Sequence, residues 1–243
     1  MDPVVRNDGR FCIDLGGTIA EFSSSEPDAI HRMRRRFAGF EVASARPVIS
    51  FIHSPEGGEQ LSFSTSVDLK NRKVYLFGEQ GISHVDGVLR TVLAVVAAPD
   101  LIAHAALLLD GERAFLCCGK PGAGKSTMAG LFPENAVCDE LARVGVSPKR
   151  VVAKSLPYWK ARPATVSLKS IFLLRHGLSN RRIRLSASDA IRELRRHLYW
   201  PLDEEKAADA TFGTLSEVVQ RVPVYRLDFL PDRRVWKTLT EVE

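Results

Sequence analysis

The chain has 243 residues, of which 45% are hydrophobic and 26% are charged, a composition typical of globular proteins that excludes disordered, collagen-like and coiled-coil proteins. Its 34 basic and 29 acidic side chains give a formal net charge of +5. Residues 1–119 hold 12 basic and 15 acidic groups, whereas residues 120–243 hold 22 and 14. The second half is therefore suited to an anionic partner, and charge alone leaves open nucleic acid, a nucleotide or an acidic protein.

The chain contains four cysteines, Cys12, Cys117, Cys118 and Cys138. They form no C-x-x-C pair and have no nearby histidine at zinc-ligand spacing, so we expect neither a disulfide framework nor a structural zinc site. The N-terminus lacks the basic and apolar regions of a signal peptide. The most apolar segment, residues 88–109, is interrupted by Pro99, Asp100 and His104, which disfavours a membrane span. We expect a cytoplasmic protein with no membrane partner.

Short β-branched or aromatic segments separated by turn residues characterise the first third of the chain. They predict strands within residues 10–22, 47–53, 60–67 and 73–78. One helix interrupts them, because Pro27 suits a first helical turn and the amphipathic run IHRMRRRFAGF follows. Residues 1–84 are therefore predicted to form a small α+β domain.

The remainder of the chain alternates strands with helices. A helix beginning near Ser83 and Asp86 is predicted to end at Pro99. Strands are then expected at residues 103–110, 113–118, 135–140, 166–176 and 223–229, with helices at 189–198 and 214–222. This alternation predicts an α/β nucleotide-binding core over residues 85–243.

Residues 119–127, GKPGAGKST, satisfy the phosphate-binding loop pattern G-x-x-x-x-G-K-[ST], with an apolar strand before it and a helix-compatible run after it. The loop comprises Gly119, Lys120, Pro121, Gly122, Ala123, Gly124, Lys125, Ser126 and Thr127. Its glycines let backbone N–H groups surround a phosphate, Lys125 reaches the β- and γ-phosphates, and the Ser126 hydroxyl can coordinate Mg²⁺. The loop therefore predicts a site for a nucleoside triphosphate with Mg²⁺.

An acidic pair, Asp139 and Glu140, follows Lys125 after only fourteen and fifteen positions, at the end of a predicted strand. The intervening helix is short because Pro133 breaks it. Two adjacent carboxylates beside a metal supply one ligand and one group that can accept a hydroxyl proton. The pair is therefore a candidate for Mg²⁺ binding and general-base catalysis, and either residue can take either role.

Residues 103–140, from AHAALLLD through the loop to NAVCDE, resemble the HPr kinase/phosphorylase family and its PEP-carboxykinase-like relatives. The resemblance implies a P-loop kinase core with a small N-terminal domain. It further implies that residues 119–127 bind ATP and Mg²⁺, that Asp139 is the general base toward an acceptor serine, and that Glu140 helps to hold the metal. His104 stands where the family has its active-site histidine, so it would tune Asp139 or contact the transferred phosphate.

The chain departs from true HPr kinase/phosphorylase in two places and resembles more closely the small HPr-kinase-related proteins of peptide biosynthetic clusters. The loop carries Lys120-Pro121 where small or serine residues are usual, and the C-terminal motif of true HPr kinase/phosphorylases is missing. The ending VPVYRLDFLPD is similar to that of the smaller relatives. The resemblance therefore implies an acceptor peptide or protein other than HPr, and family members commonly form homo-oligomers.

The arginines of residues 32–36 and 175–196 raise the alternative of nucleic-acid binding. No recognition module supports it, and the buried stripe Ile191, Leu194 and Leu198 predicts that Arg192, Arg195 and Arg196 lie on a solvated helix face. Arg162 and Arg175 are candidates to stabilise the transferred phosphoryl group, whereas His176 is expected to be a loop residue. We therefore expect no nucleic-acid partner.

Two further functions stay open beside a serine kinase. One is a nucleotide-binding sensor or scaffold without phosphoryl transfer, and the other is a kinase of a small hydroxylated metabolite. The complete set Lys125, Ser126 and Asp139 favours an active kinase. An ABC-type ATPase and a GTPase are disfavoured, because no LSGGQ-like and no N-K-x-D sequence occurs.

Overall fold

A computed structural model of the chain describes residues 9–43, 46–55, 64–158, 161–201 and 204–241. The chain divides into two compact units, Met1–Val92 and Leu93–Glu243. Each unit contains one mixed sheet with helices, so the predicted α/β class is confirmed. The division falls inside a helix that begins at Val85, the residue at which the sequence placed its domain boundary.

The first unit has a six-stranded sheet. Its strands are β1 (Arg10–Asp14), β2 (Ile19–Ser24), β3 (Glu41–Val42), β4 (Ile49–Ser54), β5 (Thr65–Asp68) and β6 (Lys73–Phe77). Its helices are α1 (Pro27–Arg36), α2 (Gly78–Ser83) and the part of α3 (Val85–Val96) that ends at Val92. The sheet order is β3-β1-β2-β4-β6-β5. Phe22 lies at the centre of the core, with its ring 4.6 Å from that of Phe51 and 5.0 Å from that of Phe37. Part of the strand predicted at 60–67 lies outside the described residues.

The second unit is a sheet covered by helices on both faces. Its strands are β7 (Leu101–Asp110), β8 (Arg113–Cys118), β9 (Ala136–Cys138), β10 (Leu141–Val146), β11 (Val151–Ser155), β12 (Thr165–His176), β13 (Arg181–Arg184), β14 (Leu198–Tyr199) and β15 (Val224–Phe229). Its helices are α4 (Lys125–Leu131), α5 (Ala187–Leu194), α6 (Glu205–Arg221) and α7 (Val235–Thr240). The main strand order is β11-β10-β7-β8-β12-β15-β13, with β9 and β14 paired to β7.

Alternating side chains of this sheet build two separate cores. Leu107 and Leu116 belong to the core beneath α5 and α6, whereas Leu108 and Phe115 belong to the core beneath α4 and α7. The central strands are nearly free of polar residues because both of their faces are covered. The four cysteines are buried free thiols, and burial raises the pKa of Cys118 and of Cys138 to about 12, so these two stay protonated.

Strand direction brings several segments to one edge of the sheet. β8, β12 and β15 are mutually parallel, so their carboxyl ends, at Cys118, His176 and Phe229, share this edge. β7 runs antiparallel to β8, which brings the beginning of β7, including His104, to the same edge. Open α/β sheets commonly bind ligands outside the carboxyl ends of their parallel strands.

Two predicted helices differ from the structure. The helix predicted at 189–198 ends at Leu194, since residues 195–197 form a 3₁₀ turn and Leu198 pairs with Ala103 of β7. The helix predicted from 214 begins at Glu205, because residues 205–212 contain many good helix formers before the apolar periodicity starts. Within the described residues, no helix has the length and apolar character needed to cross a membrane.

Candidate functional site

The loop of residues 119–124 connects β8 to α4 and has a conformation that depends on glycine. Gly122 and Gly124 have φ values of +78° and +100°, in the left-handed region that L side chains rarely adopt. A Cβ atom at Gly119 would lie 2.7 Å from that of Ala123, and one at Gly124 would lie 2.6 Å from Cζ of Phe229. Three glycines of the predicted motif are therefore required by the loop's own geometry.

Lys125 begins α4 and turns its side chain back under the loop. Its Nζ donates hydrogen bonds to the carbonyl oxygens of Gly119 at 2.8 Å and Lys120 at 3.3 Å. The residue is only 6% exposed. Burial lowers the pKa of Lys125, and the negative charge of Glu140 acts in the opposite direction. The ammonium is therefore held below the loop, where a bound phosphate would meet it.

Ser126 and Thr127 follow at the start of α4 and are both exposed. Their backbone N–H groups belong to the first turn of the helix, in which the peptide dipoles favour an anion. Ser126 is therefore solvent-accessible at the beginning of α4.

His104 and Glu140 form a pair across two neighbouring strands. In the β7–β10 ladder His104 lies opposite Leu141, so the preceding residue, Glu140, is brought against the imidazole. The distance from His104 Nε2 to Glu140 Oε1 is 3.4 Å, and both side chains are slightly more than a quarter exposed. Glu140 therefore lies beside His104, and its negative charge also acts to raise the pKa of Lys125.

Asp139 lies between β9 and β10 and is half-buried. It follows Cys138, which is opposite Leu107 of β7. The two carboxylates of the acidic pair thus share the short connection between two strands that both border β7. The structure brings Glu140, rather than Asp139, into the pair with His104.

The side chains of Ser126, Asp139 and Glu140 offer the hydroxyl and carboxylate oxygens that Mg²⁺ prefers. Across the described parts of the chain, no three or more His, Cys, Asp or Glu side chains are clustered to hold a metal by themselves. This donor set fits an ion that takes one or two protein ligands and completes its shell with water and substrate phosphates, which is the usual mode for Mg²⁺.

Two cavities meet at the loop. The larger has a volume of about 730 Å³ and extends from the loop to the ends of β12 and α5. Its lining is Gly119, Lys120, Pro121, Gly122, Ala123, Leu173, Leu174, Arg175, His176, Leu185, Asp189, Arg192, Glu193, Arg196, His197 and Arg226. This volume is within the range of sites for small ligands and cofactors.

The smaller cavity, of about 290 Å³, lies toward the beginning of β7. Its lining is His104, Gly119, Lys120, Pro121, Arg196, His197, Leu198 and Tyr199. The two cavities share the first three loop residues together with Arg196 and His197. Arg196 and His197 therefore lie where the two spaces meet.

Sequence reasoning missed His197 as a site residue and interpreted Arg196 only as part of a solvated face. The Arg196 side chain is 54% exposed and pairs with Glu193, yet it also borders both cavities. Burial lowers the pKa of His197, and the positive charge of Lys125 acts in the same direction, whereas the negative charge of Glu193 opposes it. The available sequence signal was Tyr199, an aromatic residue that favours a strand over a helix. Leu198 and Tyr199 form the short strand β14, whose pairing with β7 brings residues 195–197 toward His104.

His176 was predicted to be a loop residue, whereas in the structure it is the last residue of β12. Its Nε2 lies 2.7 Å from the carbonyl oxygen of Gly122, and its ring is stacked at 6.0 Å from Phe229. Since a carbonyl oxygen only accepts, the imidazole nitrogen must be the donor. His176 therefore holds the loop of residues 119–124 from the neighbouring strand.

The two arginine candidates differ in position. Arg175 lines the larger cavity, with its Nε 3.6 Å from Oδ1 of Asp228. Arg162 donates instead to the carbonyl oxygens of Glu134 at 3.2 Å and Ala136 at 3.4 Å, and it lines neither cavity. Only Arg175 is therefore placed beside the loop.

No protein-family profile matches this chain, and a comparison with curated proteins finds no significant similarity.

Proposed function

We propose that the protein is an ATP- and Mg²⁺-dependent phosphotransferase, with a P-loop kinase core similar to that of HPr kinases and PEP carboxykinases. The observation that carries the proposal is the convergence of Lys125, the His104–Glu140 pair and two cavities at one edge of the sheet. A loop that bound nothing would need neither a buried lysine beneath it nor adjoining spaces for two reactants.

The chain's own groups can hold a triphosphate in the orientation that transfer needs. The N–H groups of the loop, to which Pro121 contributes none, and those of the first turn of α4 surround the phosphates. Lys125 exchanges its bonds to the carbonyl oxygens of Gly119 and Lys120 for bonds to the β- and γ-phosphates. Ser126 with the acidic pair would hold Mg²⁺, which neutralises phosphate charge when bound.

The acceptor step needs a base beside the γ-phosphate. The acceptor oxygen bonds to the γ-phosphorus, the bond from that phosphorus to the β,γ-bridging oxygen breaks, and ADP leaves with the bridging oxygen. The hydroxyl proton passes to the carboxylate of Asp139. Glu140, between His104 and Lys125, orients these two groups and shares in metal binding.

The acceptor that the resemblance implies is a serine hydroxyl of a peptide or protein. A second candidate is a small hydroxylated metabolite, which the limited volume of the smaller cavity, about 290 Å³, favours. Both candidates use the same transfer chemistry and differ only in what surrounds the hydroxyl.

The direct test is to incubate the protein with γ-labelled ATP, Mg²⁺ and a fractionated cell lysate, with binding of Mg·ATP measured separately. We expect wild-type protein to label an acceptor, whereas Asp139→Asn binds Mg·ATP and labels nothing. Tight Mg·ATP binding without label in any fraction would instead support a nucleotide-dependent sensor or scaffold.

A further inference from the structure

We infer that the smaller cavity is the acceptor pocket and that it selects a hydroxyl compound with a negatively charged group beside the hydroxyl. This inference rests on the proposed phosphotransferase function and adds the chemical class of the acceptor. It is carried by the position of the cavity relative to the loop and by the charges on its walls.

The position follows from where the γ-phosphate would lie. Lys125 reaches the β- and γ-phosphates in such loops, and its Nζ donates to the carbonyl oxygens of Gly119 and Lys120, two residues that line both cavities. His104 lines the smaller cavity and does not line the larger one. The smaller cavity is therefore next to the terminal phosphate, whereas the larger one has the volume for the nucleoside.

In-line transfer supports the same assignment. The acceptor oxygen must approach the γ-phosphorus from the side opposite the leaving ADP. With the nucleoside in the larger cavity, that side faces the smaller one, and Arg196 and His197 lie at the junction between them. The acceptor thus enters past these two residues.

The charge on the walls then specifies the acceptor. Lys120 and Arg196 are cationic, His104 and His197 offer ring nitrogens, and no Asp or Glu among the described residues lines this cavity. Glu193 neutralises part of the charge of Arg196 at 3.2 Å but lies outside the lining. The acidic pair also lies outside it, beyond His104, which Glu140 contacts at 3.4 Å. The charged group of the acceptor therefore occupies the cavity, and its hydroxyl lies at the His104 side, toward Asp139. A carboxylate or phosphate beside the hydroxyl can therefore accept hydrogen bonds from Lys120 and Arg196, whereas the positive charges of these residues repel an ammonium group.

Tyr199 and Leu198 close the remaining side of the pocket. The ring of Tyr199 lies 6.5 Å from that of His104, and both residues belong to strands of the β14–β7 pair. A cavity of about 290 Å³ accommodates a compact group rather than a folded segment. The acceptor's reacting part is therefore small, whether it is a free hydroxy acid or one side chain of a peptide with its neighbours.

The test compares matched probes at equal concentration with protein, Mg²⁺ and γ-labelled ATP. Glycerol 3-phosphate and glycerate are compared with glycerol, and the blocked peptide Asp-Ser-Asp is compared with Lys-Ser-Lys. We expect at least one anionic probe to accept phosphate ten times or more faster than its neutral or cationic partner. Preference confined to the small probes identifies a metabolite, and preference confined to the peptide identifies an acidic sequence around serine.

Two variants locate the preference. Arg196→Gln is expected to reduce the preference tenfold or more, where the preference is the ratio of the rates for the anionic and the neutral probe at saturating Mg·ATP, so that an effect on nucleotide binding cancels. Arg195→Gln is the matched control, because Arg195 precedes Arg196 in the same 3₁₀ turn and lines neither cavity. Equal loss of preference in both variants would contradict the assignment of Arg196 to the pocket.

Failure of the inference is distinguishable from failure of the proposed function. If wild-type protein binds Mg·ATP and phosphorylates glycerol or Lys-Ser-Lys as fast as the anionic probes, the charge assignment is wrong. If it binds Mg·ATP and none of the anionic probes binds to the protein loaded with a non-hydrolysable ATP analogue, the acceptor pocket is wrong. Absence of Mg·ATP binding in wild-type protein would overturn the phosphotransferase function itself.

Discussion

The imidazole of His176 donates a hydrogen bond to the carbonyl oxygen of Gly122 across 2.7 Å, although 54 residues separate them in the sequence. The contact joins the end of β12 to the loop of residues 119–124, which we propose to bind phosphate. A neutral hydrogen bond contributes about 1 kcal/mol, and a factor of ten in binding corresponds to about 1.4 kcal/mol. This single contact can therefore measurably change nucleotide affinity through the shape of the loop.

We accordingly predict that His176→Ala weakens Mg·ATP binding by about three- to tenfold, because the loop loses a fixed carbonyl. His176→Gln retains a donor and is expected to recover most of the affinity. Isothermal titration of the three proteins measures the effect. An unchanged dissociation constant in His176→Ala would show that the loop keeps its shape without this contact.

Lys125 provides the clearest test of nucleotide binding. In the proposed complex Lys125 is a charged donor to the β- and γ-phosphates, so we expect Lys125→Ala to lose ten- to a hundredfold in Mg·ATP affinity, about 1.5–3 kcal/mol. Lys149→Ala is the control, because Lys149 is exposed in the turn between β10 and β11. This variant should bind Mg·ATP with the wild-type affinity. Comparable Mg·ATP affinities of the two variants would show that Lys125 does not contact the nucleotide.

The two left-handed glycines should differ in their tolerance to alanine. Gly122→Ala adds only backbone strain, since nothing lies within 4 Å of the new Cβ, and we expect a loss of about 1–2 kcal/mol in unfolding free energy. Gly124→Ala adds the same strain and an overlap with Phe229 at 2.6 Å, so its loss should be larger. Urea denaturation compares them, and a smaller loss in Gly124→Ala would contradict the loop geometry.

The pKa of His197 reports the charges around the loop. It lies below the ordinary value of 6.5 because of burial, with Lys125 adding to the effect. Removing that cation should raise it, so NMR titration of Lys125→Ala should show His197 titrating at higher pH than in wild type, while Lys149→Ala shows no change. Because the folded protein disfavours the protonated ring, unfolding free energy should decrease as pH falls through 6.5. An unchanged NMR titration midpoint of His197 in Lys125→Ala would show that the charge of Lys125 does not act on His197.

Much of the order of strands and helices in the second unit could be predicted from the sequence. The strand, glycine loop, short helix and strand of residues 113–138 were predicted because each has a local signal, namely apolar runs, the glycine pattern and Pro133 after the helix. β10, β11 and β13 were missed, since their alternation is short and interrupted by charged residues such as Arg143 and Lys154. Local propensity does not specify which strand a short segment will pair with.

The site was predictable only where its residues adjoin the loop in sequence. Lys125 and Ser126 follow from the motif itself, and the acidic pair from its spacing after the motif. His197 and His176 reach the loop through β14 pairing with β7 and β12 pairing with β8, which no short-range pattern encodes. Arg196 was interpreted as solvated because the predicted helix continued to Leu198, whereas β-pairing ends that helix at Leu194.

We propose that the acidic pair beside the loop supports phosphoryl transfer, and Asp139→Asn tests this role most directly. With γ-labelled ATP, Mg²⁺ and the best acceptor, we expect this variant to bind Mg·ATP within about threefold of wild type and to lose at least a hundredfold in transfer rate, because general-base catalysis contributes about 10²–10⁴-fold. Glu140→Gln, measured in parallel, should lose both binding and transfer. Transfer by Asp139→Asn at the wild-type rate would contradict the account.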